Sequence, residues 1–103
     1  MKVFLYDTNL IISSKIKNQL KALGAQLVNR ENVDEDCIAL VNLESPKGLE
    51  ISKELKEKGV KVIGYCGHKN LSLIQQAQNL GVDLVVPNSQ VATNLVNVLK
   101  ELS

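Results

Sequence analysis

Short runs rich in β-branched residues alternate along this chain with helical patterns that end at a glycine, and this alternation limits the possible folds most. The helical patterns repeat apolar residues at the spacing of one helix face, as at Ile12, Ile16 and Leu20 before Gly24. Such alternation is typical of βα units. It predicts an α/β fold with a five-stranded parallel sheet and helices on both faces. The predicted strands are residues 2–6, 25–28, 37–43, 60–66 and 82–86.

The second unit is irregular, because only "NRENVDED" (residues 29–36) separates two predicted strands. Eight extended residues span up to roughly 26 Å, which is enough for a parallel crossover without a regular helix. We therefore expect the second helix to be missing or reduced to one turn. A parallel sheet normally has both faces covered. We expect part of one face to be exposed, and exposed apolar surface of that kind favours an interface.

Length and charge limit the function classes. A chain of 103 residues is long enough for one domain, so we expect residues 1–103 to form a single unit. Its 12 basic and 11 acidic residues give a net charge of +1, which indicates neither a nucleic-acid nor a membrane partner. No targeting segment is recognisable at the start, so a cytoplasmic location is expected. Cys37 and Cys66 have no metal-ligand spacing and are predicted to be reduced core thiols.

Three stretches resemble the receiver domains of response regulators. They are "SPKGLEI" after the third predicted strand, "GVDLVVP" at the fifth, and "KALG" at the end of the first helix. The resemblance covers nearly the full chain and implies the flavodoxin-like strand order 2-1-3-4-5 of the chemotaxis receiver. It also implies a functional pocket at the carboxyl ends of the first, third and fourth strands.

Receivers accept a phosphoryl group on an aspartate, with Mg²⁺, a hydroxyl and a lysine beside it. The resemblance places the aspartate on Asn42, whose neutral amide cannot form an acyl phosphate. Among the five positions, only Asp7 keeps its chemistry. The five positions, in chain order, are Asp7, Thr8, Asn42, Cys66 and Val86.

The resemblance thus implies a degenerate receiver, or pseudo-receiver, that does not transfer phosphate. We expect a phosphorylation-independent signalling or protein-interaction module that is not an enzyme and has no cofactor. No metal is expected, and Asp7 is its ligand if one binds. The expected partner is another protein or a second copy of the chain in a homodimer. The uncovered sheet face, or the last strand and helix, would carry the contact.

Two alternatives of other classes stay open. "FLYDTNLIIS" resembles the Asp-Thr-Asn opening of PIN-type nucleases, which need several carboxylates around a metal ion. Glu44 could lie near Asp7, whereas Asp83 begins its strand at the opposite edge. The other alternative is a small-molecule-binding flavodoxin-like domain with a site at Asp7, Asn42 and Cys66, although no glycine-rich phosphate loop follows the first strand.

Asp7 also has a purely structural interpretation. An acid directly after a strand and before a helix often caps that helix or orders the loop. Its carboxylate would accept hydrogen bonds from free amides at residues 9–11, and the helix dipole would favour its charge. This role is compatible with a place in a degenerate pocket.

Overall fold

Strands and helices alternate along residues 1–102, the part of the chain that the computed structural model describes. The longest helix has 13 residues, and no helix within this range is long and apolar enough to cross a membrane. The elements are β1 (Lys2–Tyr6), α1 (Leu10–Ala22), β2 (Gln26–Leu27), a 3₁₀ turn (Arg30–Asn32), β3 (Ile38–Asn42), α2 (Gly48–Glu57), β4 (Lys61–Cys66), α3 (Leu71–Asn79), β5 (Leu84–Pro87), α4 (Asn88–Thr93) and α5 (Leu95–Leu102).

The five strands form one parallel sheet in the order β2-β1-β3-β4-β5, which confirms the predicted fold class. Glycines at the predicted helix ends allow the chain to turn back towards the sheet. Gly24, Gly59 and Gly81 all have a positive φ, at 71°, 79° and 84°. Only glycine adopts this conformation without steric cost, which explains why each helical pattern stops where it does.

Apolar side chains pack on both faces of the sheet. One cluster joins the sheet to α1, α4 and α5 and includes Ile16, Leu20 and Leu95. The other joins it to α2 and α3 and includes Ile51 and Ala77. The helix faces predicted from the apolar spacing are therefore those that contact the sheet.

The second crossover contains a single 3₁₀ turn, as predicted, but the expected exposed sheet face is not found on β1. Phe4, on the side of β1 where a second helix would pack, is only 7% exposed. Val33 from the crossover packs against the same cluster. Arg30 of the 3₁₀ turn forms an ion pair with Glu54 of α2. The crossover therefore covers the position that a second helix would take.

The apolar spacing of Leu95, Val98 and Leu99 predicts a single last helix after the fifth strand, but the structure has two helices that meet at Asn94. The amide of Gln19, on α1, is inserted between them. Its Nε2 donates to the carbonyl oxygen of Val91 (2.8 Å), and its Oε1 accepts from the Leu95 amide (2.9 Å). These two bonds replace the direct helical bond between Leu95 and Val91, which is a recognised cause of helix breaks.

The connection from β3 to α2 requires a glycine at position 48. A Cβ there would lie 2.7 Å from the carbonyl oxygen of Asn42 and 3.0 Å from the Leu43 Cα. The pair Ser45 and Pro46 is typical of a helix start and predicts one at Ser45, but α2 begins three residues later, at Gly48. The close approach brings the start of α2 directly beside the end of β3, where the candidate site lies.

Candidate functional site

Four side chains form a row across the carboxyl edge of the sheet. Asn42 pairs in register with Tyr65, and Tyr65 pairs with Val86. Asp7 follows Tyr6, which pairs with Val41, so Asp7 lies beside Asn42. Parallel register places side chains of one row on the same face of the sheet. The sheet therefore brings Asp7, Asn42, Tyr65 and Val86 together.

The carboxylate of Asp7 accepts three hydrogen bonds. Its Oδ1 accepts from the Asn9 amide (2.7 Å) and from Asn42 Nδ2 (3.0 Å). Its Oδ2 accepts from the Tyr65 hydroxyl (2.5 Å). Hydrogen bonds to an ionised acceptor are the strong ones in proteins. Asp7 thus links its own loop to β3 and β4.

The cap of α1 is Asn9 rather than Asp7. Asn9 Oδ1 accepts from the amides of Ile11 (3.0 Å) and Ile12 (3.1 Å), as an N-cap side chain does. Asp7 holds the Asn9 amide instead. The capping role proposed for Asp7 from the sequence is therefore wrong, and its loop-ordering role is present.

Asn42 is buried, with 4% of its surface exposed, and both ends of its amide have partners. Nδ2 donates to Asp7, and Oδ1 accepts from the Glu44 amide (2.9 Å). An amide nitrogen engaged in this way is not a nucleophile, and its oxygen is already an acceptor within its own loop. Asn42 therefore acts here as a structural connector.

Tyr65 is fully buried, and its hydroxyl is the one that reaches Asp7. Burial raises the pKa of the Tyr65 phenol well above its ordinary value, and the hydrogen bond and negative charge of Asp7 raise it further. The phenol therefore stays protonated and remains a donor to Asp7.

The loop after β1 is also tied to the loop after β3. The Thr8 amide and hydroxyl both donate to Ser45 Oγ, each at 3.0 Å. The Tyr6 hydroxyl donates to the carbonyl oxygen of Pro46. Ser45, expected from sequence to start a helix, thus joins the two loops. Thr8 has no carboxylate to offer at the second acid position.

Cys66 and Val86 do not complete a phosphoryl site. Cys66 is 1% exposed and packs in the cluster beneath α2 and α3, on the other face of the sheet from Tyr65. Burial raises the pKa of the Cys66 thiol, with a smaller contribution from the charge of Glu44. Val86 packs in the cluster beneath α1, α4 and α5. The hydroxyl in the row therefore belongs to Tyr65, one residue before the position predicted.

Glu44 joins three loops at this edge. Its carboxylate accepts from the Gly67 amide (3.2 Å), from Asn70 Nδ2 (3.3 Å) and from Asn88 Nδ2 (3.5 Å). Asn88 Oδ1 is buried and, among the described residues, has no hydrogen-bond partner. A polar cavity of about 330 Å³ lies beside these groups. It is lined by Thr8, Asn9, Ile12, Asn42, Glu44, Ser45 and Asn88.

The acids do not converge as a nuclease site requires. Asp7 and Glu44 lie at this edge, whereas Asp83 directly precedes β5 at the opposite edge and accepts from Lys56 and the Val62 amide. Within residues 1–102, no group of three or more His, Cys, Asp or Glu side chains is placed to hold a metal ion. Two-metal or one-metal hydrolysis normally uses more carboxylates than this pair.

The sequence reasoning missed Tyr65, Ser45 and Asn88 as members of this site. Tyr65 carried a usable signal, because side chains alternate along a strand and Tyr65, not Cys66, shares the face of Ile63. The register needed to connect that face to Asn42 comes only from the assembled sheet. Ser45 and Asn88 lie in loops or at a helix start, where sequence patterns carry little directional information.

Comparison with known proteins identifies the fold. No protein-family model matches the sequence, and no curated protein matches it. The isolated receiver domain of RcsB from Salmonella enterica serovar Typhimurium superposes with a TM-score of 0.79 at 18% identity, over 99% of this chain and 86% of that one. The signal receiver domain of a modulated diguanylate cyclase from Desulfovibrio desulfuricans G20 gives 0.77 at 17% identity, over 98% and 91%. A response regulator from Thermotoga maritima gives 0.75 at 18% identity, over 98% and 95%. The chain therefore has the receiver fold.

Proposed function

We propose that this chain is a pseudo-receiver, a single receiver-like domain over residues 1–103 that works as a phosphorylation-independent signalling or protein-interaction module and not as an enzyme. The observation that carries the proposal is the state of Asn42. Asn42, which the resemblance places at the phosphoacceptor position, is a buried amide whose two ends both hold neighbouring groups. A phosphoryl acceptor needs a free carboxylate oxygen instead.

The surroundings of Asn42 support the same proposal. A hard cation such as Mg²⁺ needs several oxygen ligands, and at Asp7 it would compete with three hydrogen-bond donors. Thr8 replaces a second acid, and Val86 replaces the lysine that would pair with phosphoryl oxygens. Without these groups, the negative charge of a transferred phosphoryl group would be poorly stabilised.

Exposed apolar side chains support a protein partner. Leu10 is 80% exposed, Ile11 71% and Leu71 72%. All three lie in the first turns of α1 and α3, at the same sheet edge as the Asp7 row. Leu10 and Ile11 are neighbours in the chain, and exposed large apolar residues that lie together are typical of interaction sites. A module that recognises its partner through this edge has no need of phosphorylation chemistry.

Phosphorylation tests the proposal directly. The wild-type protein is incubated with Mg²⁺ and either acetyl phosphate or beryllofluoride, beside a phosphorylatable receiver as positive control. Intact mass and ¹⁵N–¹H spectra should show no adduct and no shift of the amides around Asn42. The matched variant Asn42→Asp restores the carboxylate alone, and we expect little modification because Thr8 and Val86 are unchanged. A specific adduct on the wild-type chain would contradict the proposal.

A homodimer through the last strand and helix is part of the proposal. β5 is an edge strand of the sheet, and Val96 of α5 is 42% exposed. Light scattering over a range of concentrations should show self-association that Val96→Lys weakens. Leu71→Lys, at the carboxyl edge, is the matched control and should leave it unchanged. A monomer at every concentration would remove this part of the proposal.

A small-molecule-binding domain is the second candidate, and the unpartnered Asn88 Oδ1 favours it. A buried acceptor beside a polar cavity calls for a ligand that donates a hydrogen bond. A thermal-shift panel of small amines and amides tests this candidate. A ligand that stabilises the wild-type protein but not Asn88→Leu would favour small-molecule binding over the interaction module.

A further inference from the structure

The outer edge of β2 is open. β2 is the end strand of the sheet, and both of its residues are exposed. The amides of Gln26 and Val28 donate inward, to the carbonyl oxygens of Met1 (2.8 Å) and Val3 (2.9 Å). Because the direction of these groups alternates along a strand, the N–H and C=O of Leu27 point away from β1. They are available to an added strand.

An apolar groove lies along this edge, between β2 and the end of α1. Its volume is about 440 Å³. The buried side chain of Leu20 lies at its inner side, and Ala25 and Leu27 line it. Leu23 is 42% exposed at the cap of α1 and Leu27 is 46% exposed. The groove therefore presents apolar surface beside unpaired backbone groups.

Two lysines give the groove a positive charge. Lys17 and Lys21 line it, both are exposed, and neither has an ion-pair partner within residues 1–102. If a second copy paired antiparallel along β2, the twofold axis relating the two copies would run perpendicular to the joined sheet. Lys17 and Lys21 of both copies would then lie on the same face of that sheet. Repulsion between like charges disfavours that arrangement. An acidic partner is favoured instead.

We propose that the open edge of β2 and this groove bind an extended acidic segment of a partner protein, which adds a sixth strand beside β2. One large apolar side chain of the segment enters the groove. Acidic side chains two positions away lie on the same face and contact Lys17 and Lys21. The inference rests on the interaction function proposed above and names the class of partner. It does not involve the Asp7 row.

A synthetic peptide tests this proposal. The probe is an eight-residue peptide with one central Leu and a Glu two positions before and two positions after it, so that all three side chains share one face of the added strand. Its twin carries Lys in place of each Glu. ¹⁵N–¹H spectra of the full chain should shift at residues 25–28 on titration with the acidic peptide and not with the basic one. The Leu27 amide should also gain protection from hydrogen exchange, because it becomes a donor to the added strand.

The variant Lys17→Glu/Lys21→Glu should weaken binding of the acidic peptide by about tenfold, since each exposed charge pair changes from attraction to repulsion. The matched control Lys47→Glu changes an exposed lysine in the loop before α2, away from the groove, and should leave the affinity unchanged. Absence of binding at millimolar peptide, shifts confined to the carboxyl edge, or equal affinity of the double variant would each overturn the proposal. None of these outcomes bears on phosphorylation, so its failure is distinguishable from that of the pseudo-receiver function.

Discussion

At the residue scale, the hydrogen bond from Tyr65 to Asp7 is the central contact of the candidate site. A fully buried phenol donates to a carboxylate that also holds Asn9 and Asn42. Without an acceptor, burial of the Tyr65 hydroxyl would lower the free energy of unfolding. Without the phenol, the Asp7 carboxylate would lose one of its three hydrogen-bond donors. The pair is therefore a structural unit that joins the loop after β1 to β4 at the carboxyl edge of the sheet.

Replacing Tyr65 with phenylalanine should lower the free energy of unfolding by about 1.5–3 kcal/mol at pH 8, the usual worth of a hydrogen bond to a charged group. Urea unfolding followed by circular dichroism measures this loss. Tyr6→Phe offers a comparison, because it removes a hydroxyl that donates to a neutral carbonyl oxygen, that of Pro46, and should cost less. Equal stability of Tyr65→Phe and wild type would contradict the structural role of the phenol.

The stability difference between wild type and Tyr65→Phe should also depend on pH. The folded-state pKa of Tyr65 is raised above the unfolded value of about 10, so its contribution is complete below pH 10 and is lost as the pH rises further. By pH 11 the difference should shrink by about 1.4 kcal/mol. The phenolate absorbance of the variant Tyr6→Phe, whose only tyrosine is Tyr65, shows directly whether the folded-state pKa of Tyr65 is raised. A rise near pH 10 in the folded protein would contradict it.

At the element scale, the break between α4 and α5 depends on a side chain from another helix. Gln19 of α1 satisfies the carbonyl of Val91 and the amide of Leu95, so the last two helices are fastened to α1 at their junction. The apolar spacing of Leu95, Val98 and Leu99 correctly predicted which face packs on the sheet. That spacing carries no information about an interruption after the six residues of α4.

Gln19→Leu should lower the free energy of unfolding by about 1–3 kcal/mol, because it leaves a partly buried backbone donor and acceptor without their partner. Gln75→Leu, on the exposed side of α3, is the matched control and should change stability by less than about 0.5 kcal/mol. Urea unfolding of both variants gives the comparison. If the two variants lose the same amount, the inserted amide does not stabilise the junction.

At the scale of the whole molecule, the two edges of the sheet differ in character. The carboxyl edge holds the Asp7 row and the polar cavity. The opposite edge is fastened by Asp83, whose carboxylate accepts from Lys56 Nζ (2.8 Å) and from the Val62 amide (2.7 Å). This contact joins α2, β4 and β5, so the acid at the start of β5 serves the assembly of the sheet.

Asp83 should make the stability of the molecule depend on acid pH. Partial burial raises the pKa of its carboxyl, but the hydrogen bonds from Lys56 and Val62 outweigh burial and lower it. Its contribution is therefore present above the unfolded pKa of about 3.9 and is lost as the pH falls through the folded value. The stability gap between wild type and Asp83→Asn, measured by urea unfolding, should be up to about 1 kcal/mol at pH 7 after solvent screening, and should close towards pH 2.

The control for this measurement is Asp36→Asn, which removes an exposed carboxylate from the crossover. Its stability gap to the wild type should not follow the same pH course. A gap for Asp83→Asn that stays constant from pH 7 to pH 2 would show that the carboxylate charge does not contribute.

The sequence by itself determined the class of fold, the strands and the short second crossover. These features depend on local properties, namely β-branched runs, apolar spacing on helix faces and glycines with a positive φ. The assignment of Asn42 to the phosphoacceptor position of a receiver likewise needs only the resemblance and a count from Pro46, and it stays a prediction. The apolar spacing of Ile16 and Leu20 also predicted which face of the first helix contacts the sheet.

Only the tertiary structure decided which side chains meet. Tyr65 and not Cys66 joins Asp7 because strand register selects one of two opposite faces, and register is a property of the paired strands. Phe4 is buried because Val33 and the ion pair of Arg30 with Glu54 cover the part of the sheet face where a second helix would pack. Gln19 breaks the last helical segment across 76 residues of sequence. Contacts between residues far apart in the chain leave no periodic trace in the sequence, and the assembled sheet alone defines them.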